Sequence, residues 1–180
     1  MANVLRLATH ADCNALDALI ARSARILQAN DYSDALLDVA IGTAFALDRQ
    51  LLADQSYFMI ERDGAAVACG GWSRRAKAYG GDACNADLDA LLTPGRDAAR
   101  IRAYFVAPEC ARQGLGTLIL TASEAAARAA GFTQGVLVAT LTGAPFYARH
   151  GWQETERLDE TLTGGVKLPV IRMTKIFGEI

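Results

Sequence analysis

Residues Val106 to Gly116 read Val-Ala-Pro-Glu-Cys-Ala-Arg-Gln-Gly-Leu-Gly, and an alanine-rich amphipathic stretch, Thr117 to Ala130, follows. A strand that stops at a proline, turns through glycines and opens a helix is built to hold an anion. The glycines let backbone approach a ligand closely, and the first amides of the helix have no partners within it. Those amides sit at the positive end of the helix dipole, so a phosphate or pyrophosphate docks there without a lysine.

The spacing excludes two commoner phosphate loops. A Walker loop needs Gly-Lys-Ser/Thr, whereas Gly116 is followed by Thr117 and Leu118. A dinucleotide fingerprint needs a third glycine where this chain has Ile119. A helix capped by a glycine turn with no ligand is the plain alternative for this segment taken alone.

A second segment decides between them. After the apolar strand Gly135 to Val138, residues Ala139 to Trp152 read Ala-Thr-Leu-Thr-Gly-Ala-Pro-Phe-Tyr-Ala-Arg-His-Gly-Trp. Together the two segments resemble the GNAT family, the N-acetyltransferases that use acetyl-CoA. The family shows Arg/Gln-x-x-Gly-x-Gly/Ala at a strand-to-helix turn, then a short helix carrying Phe-Tyr, then Gly-Phe or Gly-Trp opening a strand. The correspondence is strong from about Arg100 to Glu156. Ala111 departs from it at the first signature position, and Arg112 and Gln113 stand inside the loop instead.

Composition agrees with one globular domain over residues 1–180. The chain is 52% hydrophobic with a net charge of −2 and no block of like charge, so nucleic acid is not an expected partner. The first residues break their apolar run with Arg6, His10 and Asp12, unlike a signal peptide, and no run approaches the ~20 apolar residues of a membrane span. Cys13, Cys69, Cys84 and Cys110 are scattered and only two histidines accompany them, so neither a metal site nor a disulfide framework is expected. Four reduced thiols in a cytoplasmic protein is the expected state.

Periodicity and turn signals place the elements. Val4 to Ala8 reads as a strand and Ala11 to Leu27 as a helix with Asp12 as N-cap. Ser33 to about Ala46 reads as a second helix, and Leu47 to Asp54 as its tail or a loop. Tyr57 to Arg62 and Ala65 to Ser73 form a hairpin through Asp63-Gly64. Lys77 to Ala99 is a long polar connection. Strand Arg100 to Val106, helix Gly114 to Ala130 closed by Gly131, strand Gly135 to Ala139, short helix Ala144 to His150, strand Trp152 to Arg157 and strand Pro169 to Thr174 follow. The resemblance implies a single α/β (α+β) domain, a mixed, mostly antiparallel central sheet flanked by helices in the order β-α-α-β-β-β-α-β-α-β-β, with the cofactor where two central strands splay apart.

The resemblance also implies roles. Acetyl-CoA is the co-substrate, its diphosphate held by the amides of Arg112, Gln113, Gly114, Leu115, Gly116 and Thr117, with the Arg112 and Thr117 side chains contributing. The pantetheine arm runs along the backbone of Tyr104, Phe105 and Val106, and a main-chain N–H near Val106 polarises the thioester oxygen. Thr142 stands where relatives often carry an Asn that contacts CoA. Tyr147 is the expected proton donor to the leaving thiolate, its phenol having an ordinary pKa of about 10; packing beside Phe146 is its alternative role. The adjoining strands carry no carboxylate, so no base is named; Glu109 and His150 fit surface roles at least as well. The acceptor is a primary amine of a small molecule or peptide. Asp82, Asp87, Asp89 and Asp97 could attract a cation or be merely solvated, and Trp72 could line an acceptor pocket or the core. Homodimers occur among relatives. A catalytically silent CoA-binding module and transfer of a different acyl group are the other readings of the same motifs.

Overall fold

The computed structural model describes residues 2–77, 79–81 and 90–178; Asp82, Cys84, Asp87 and Asp89 lie outside them. Strand β1 (Asn3–Leu7) leads into helix α1 (Cys13–Leu27), which buries Leu16, Leu19, Ile20 and Ala24 at helical spacing. Asp12 stands at the cap position of α1, but its carboxylate turns back. It accepts from the Thr9 backbone N–H at 2.8 Å and from Arg6, closing one 3₁₀ turn rather than capping the helix. Helix α2 (Asp34–Ala40) starts at Ser33, whose hydroxyl accepts from the Leu36 amide. It stops six residues earlier than its periodicity predicts, at a turn containing Gly42 at φ +86°. The stretch expected as tail or loop forms α3 (Arg49–Ala53), capped by Asp48. The element order therefore gains one helix.

Strands β2 (Tyr57–Arg62) and β3 (Ala65–Ser73) form the expected hairpin, Asp63 and Gly64 both taking the positive φ that a tight two-residue turn demands. Strand β4 (Ala99–Val106), helix α4 (Leu115–Ala129), strand β5 (Gln134–Thr140), helix α5 (Ala144–Arg149), and strands β6 (Gln153–Thr161) and β7 (Lys167–Ile176) complete the chain. The seven strands lie in the order β1-β2-β3-β4-β5-β7-β6. Every neighbouring pair is antiparallel except β4 and β5.

That parallel pair is short. Only Ala99 with Gly135 and Arg100 with Val136 are in register. Beyond them an extra residue on β4 disturbs its register with β3, between the pairs Gly71–Arg102 and Cys69–Phe105. Ala103 takes up the distortion at φ +60°, and the fully buried Tyr57 donates its hydroxyl to the Ala103 carbonyl at 2.7 Å. A bulge of this kind bends its strand and ends pairing locally. On the same stretch, the Arg102 guanidinium is buried against Asp48 at 2.9 Å and donates to the Lys77 and Gly80 carbonyls. Asp48 also pairs with Lys77 at 3.1 Å, so one carboxylate caps α3 and anchors the diverging strand.

Residues of β5 and β7 alternate between two hydrophobic clusters. Leu168 and Val170 join Tyr32 and Leu37 from the α1–α2 region, with Val138 packed against them. Leu137, Ala139, Ile171 and Met173 join Leu120 of α4 and Tyr147 of α5. The sheet thus separates an α1/α2 side from an α4/α5 side, with the gap between β4 and β5 opening through it.

Candidate active site

The glycine turn follows the end of β4, and none of Arg112 to Thr117 lines the cleft between β4 and β5. Arg112 adopts φ +64° and Gly114, the residue preceding α4, adopts φ +81°. The first bond of the helix runs from the Leu118 amide to the Gly114 carbonyl, so the amides of Leu115, Gly116 and Thr117 have no partner within it. Gly116 is tightly set: a Cβ there would lie 3.3 Å from the Phe146 ring. The turn is braced from outside. Arg62 donates to the Gln113 side-chain oxygen at 3.0 Å, Gln113 donates to the Glu109 carbonyl, and Glu109 pairs with Arg22 at 2.9 Å. Glu109 is therefore a surface strut of the loop, and the Gln113 side chain is another.

His150 has a defined place beside the turn. One ring nitrogen, Nδ1, lies 2.8 Å from the Phe146 carbonyl, which can only accept, so Nδ1 carries the proton of the neutral ring. Nε2 then offers a lone pair to the Thr117 hydroxyl at 3.1 Å. The Thr117 proton is consequently committed to His150, and the residue offers a bound phosphate its backbone amide rather than a hydroxyl donor.

Along the gap runs a cleft enclosing about 750 Å³, its open mouth included. Ile101 to Phe105 of β4 form one wall and Val138 to Thr140 of β5 the other. Tyr147 borders it from the α4/α5 side; Gln28, Phe45, Tyr79, Glu160 and Val170 border it from the other. Its lining draws on residues of both hydrophobic clusters, so the cleft spans the thickness of the sheet.

Tyr147 is 7% exposed and held by three rings set edge-on: Phe146 at 5.0 Å, Tyr104 at 5.9 Å and Trp152 at 6.3 Å. Burial pushes its phenol well above the usual range, so it keeps its proton at neutral pH. Tyr104 shows a ring edge to the cleft while its hydroxyl is sealed beside Ser123 of α4, and burial raises that phenol as well. The ring lies flat over Gly70, where a Cβ would come within 2.8 Å of it.

The backbone narrows which N–H near Val106 could serve. The Val106 N–H already donates to the Ser23 hydroxyl of α1 at 3.2 Å and is not available to polarise a carbonyl. The Ala107 amide bonds to Val67 of β3, and amides alternate along a strand. By the same alternation the Phe105 N–H points at β3; the bulge at Ala103 intervenes before Tyr104.

Other expected residues fall elsewhere. The Thr142 hydroxyl donates to Asp31 at 2.6 Å, joining the loop after β5 to the loop after α1, and Thr142 does not border the cleft. Trp72 is buried and packs on Phe132 at 6.0 Å, a core position. Asp97 accepts from the Thr93 amide and from Arg96 and so shapes its own turn. The carboxylate that does reach the cleft is Glu160, on a part of β6 beyond the expected end of that strand. Among the described residues no group of three His, Cys, Asp or Glu could hold a metal ion, and no helix is long and apolar enough to cross a membrane.

A sheet parted beside a strand–glycine turn–helix unit, with a tyrosine in the opening, is matched in sequence as well. The family profile described as Acetyltransferase (GNAT) domain matches residues 53–154, more than half of the chain. The chain belongs to the GNAT acetyltransferase family. It is an acyltransferase by that membership, and its similarity to solved structures spans nearly its full length. A GCN5-related N-acetyltransferase from Rhodopseudomonas palustris superposes with a TM-score of 0.72 at 20% identity, covering 98% of this chain and 96% of that one. The PaiA N-acetyltransferase of Thermoplasma acidophilum, solved in complex with coenzyme A, superposes at 0.66 and 14% identity, covering 98% of this chain and all of that one. A putative acetyltransferase from Salmonella typhimurium, solved with acetyl-CoA, reaches 0.60 at 18% identity over 100% of this chain and 96% of that one. No curated protein sequence matches the chain.

Proposed function

We propose that this acetyltransferase moves the acetyl group of acetyl-CoA to a primary amine of a small molecule or peptide by direct attack. The observations that carry the reading are the cleft between β4 and β5, with the protonated Tyr147 phenol on its wall, and the unpartnered amides that open α4 after β4. Coenzyme A fits the residues present. Its diphosphate suits the amides of Leu115, Gly116 and Thr117 and the exposed Arg112, and the missing side chain of Gly116 lets the start of α4 lie close against the Phe146 ring. An extended pantetheine amide can pair with the β4 edge that β5 vacates. The thioester supplies an activated acetyl carbon.

The residues of the chain then divide the work. A main-chain N–H of β4 favours negative charge building on a carbonyl oxygen placed in the gap, without reorganisation. Tyr147 holds a proton within the apolar cluster for a departing sulfur. Solved relatives that bind coenzyme A or acetyl-CoA support the choice of co-substrate. Two measurements test the reading together: calorimetry with CoA, and thiol release from acetyl-CoA across a panel of primary amines. Micromolar CoA binding with amine-dependent thiol release is expected. CoA binding without release against any amine would leave a binding module, and no CoA binding would remove the whole account.

A further inference from the structure

The acceptor side of the cleft carries polar groups for which acetyl transfer itself, the reading this inference rests on, names no role. Glu160 borders the cleft from β6, in register with Leu168 of β7, which also lines it. It shares its side of the strand with Leu158 and Leu162, both packed in the α1/α2-side cluster, and so faces the mouth opposite Tyr147. The Tyr79 hydroxyl donates to Glu160 Oε2 at 2.6 Å and fixes the carboxylate. Oε1 has no partner among the described residues. Gln28, at the end of α1, lines the same space; it is 8% exposed, and its buried Oε1 makes no hydrogen bond. A buried amide oxygen without a donor is destabilising, and a ligand that brings a donor relieves it. Around these acceptors the wall is apolar, with Phe45, Ala44, Ala46, Leu168 and Val170, apart from Arg102, whose charge is neutralised by Asp48.

We propose that Glu160 and Gln28 form the acceptor site, which takes a primary ammonium on an unbranched apolar stem, and that Glu160 removes the proton freeing its nitrogen for attack. Two acceptors of hydrogen bonds, one of them charged, match the N–H groups of an ammonium, and the apolar wall matches an alkyl stem. The proton count closes. One ammonium proton passes to Glu160 and from there to solvent at the mouth. The neutral nitrogen forms its bond to the acetyl carbon as the carbon–sulfur bond breaks. The sulfur takes the Tyr147 proton, the new amide nitrogen releases its second proton to water, and water restores the phenol. The third proton stays on the amide, so each turnover releases one proton.

The test uses n-butylamine and its neutral counterpart 1-butanol, titrated by calorimetry into the full chain saturated with CoA, where no transfer occurs. Wild type is expected to bind n-butylamine at least tenfold more tightly than 1-butanol. Glu160→Gln is expected to abolish that preference while keeping the wild-type Tm and CoA affinity, because Glu160 is half-exposed on an edge strand. Gln28→Leu should weaken n-butylamine about fivefold. Equal n-butylamine affinity in wild type and Glu160→Gln would overturn the assignment, as would equal binding of the two probes to wild type. Glu160-dependent n-butylamine binding with no thiol release from acetyl-CoA would uphold the site and count against acetyl transfer. Thiol release with other amines while n-butylamine fails to bind would do the reverse.

Discussion

Replacing Tyr147 by Phe removes a single oxygen from the centre of the cleft and leaves its surroundings in place. The ring is held by Phe146, Tyr104 and Trp152, contacts that a phenylalanine repeats, and no hydrogen bond of the Tyr147 hydroxyl to a described residue needs replacing. Folding stability should therefore change by less than about 1.5 kcal/mol, as for an isosteric swap. The diphosphate-binding amides belong to α4, so the Kd for CoA should stay within twofold. Turnover should behave differently. Positioned general acids contribute roughly 100-fold or more, but a thiolate leaves more easily than most groups, so the expected loss is about tenfold or greater, near 1.4 kcal/mol in barrier height. Because burial holds the phenol protonated well past neutrality, the loss should be the same from pH 7 to pH 9. Steady-state thiol release with acetyl-CoA and an accepted amine, alongside calorimetric CoA titration, measures both quantities. Wild-type kcat in Tyr147→Phe would show that the phenol serves packing alone; parallel losses of kcat and CoA affinity would show that it acts on binding.

Gly114→Ala should lower Tm by about 3 °C, because nothing lies within 4 Å of the added carbon and the cost of about 1 kcal/mol is purely that of φ +81°; an unchanged Tm in a thermal melt would contradict this. CoA affinity should fall several-fold in the same variant as the turn relaxes. Ser23→Ala strands the Val106 N–H and should cost about 1–2 kcal/mol in denaturant unfolding, while leaving the KM for acetyl-CoA nearly unchanged if another β4 N–H supplies the donor to the thioester. A raised KM with intact stability would return that role to Val106. Burial raises the phenols of Tyr57, Tyr104 and Tyr147 and pushes Tyr32 and Cys69 up to about 12, above unfolded values near 10 and about 8.5. Folded values above unfolded ones mean stability that is full below the unfolded pKa and lost as pH rises toward the folded one. Tm should hold between pH 7 and 8 and decline above about pH 9; a flat profile to pH 11 would refute it.

The parts legible from sequence were those whose signal is local. Asp63-Gly64 announces its hairpin because few other residues accept paired positive φ, and Gly114, at φ +81°, announces the start of α4. Helix α3 escaped because five residues give no periodicity, although Asp48 before Leu51 and Leu52 was a readable cap. Glu160 was missed because most of β6 is exposed on both faces, so Glu154 to Thr161 carries no alternation. Other site features depend on long-range contacts with no sequence trace. The Ser23–Val106 bond spans 83 residues, and the Asp48 carboxylate meets Arg102 only after the bulge turns β4. Thr117 and His150 were each noticed separately, but their hydrogen bond could not be read from either, and it changes what Thr117 can offer.

Two registered residue pairs, Ala99–Gly135 and Arg100–Val136, are all that stitch β4 to β5. Past that seam the strands diverge like the legs of a compass, and opening the angle further breaks no ladder bond. On the proposed reading, in which the acyl group lies in this gap, room for a bulkier acyl chain is set by the side chains on the two legs, chiefly Phe105 and Val138, which line the cleft, rather than by main-chain pairing. Substituting those two positions is the direct way to change which acyl thioesters the enzyme accepts.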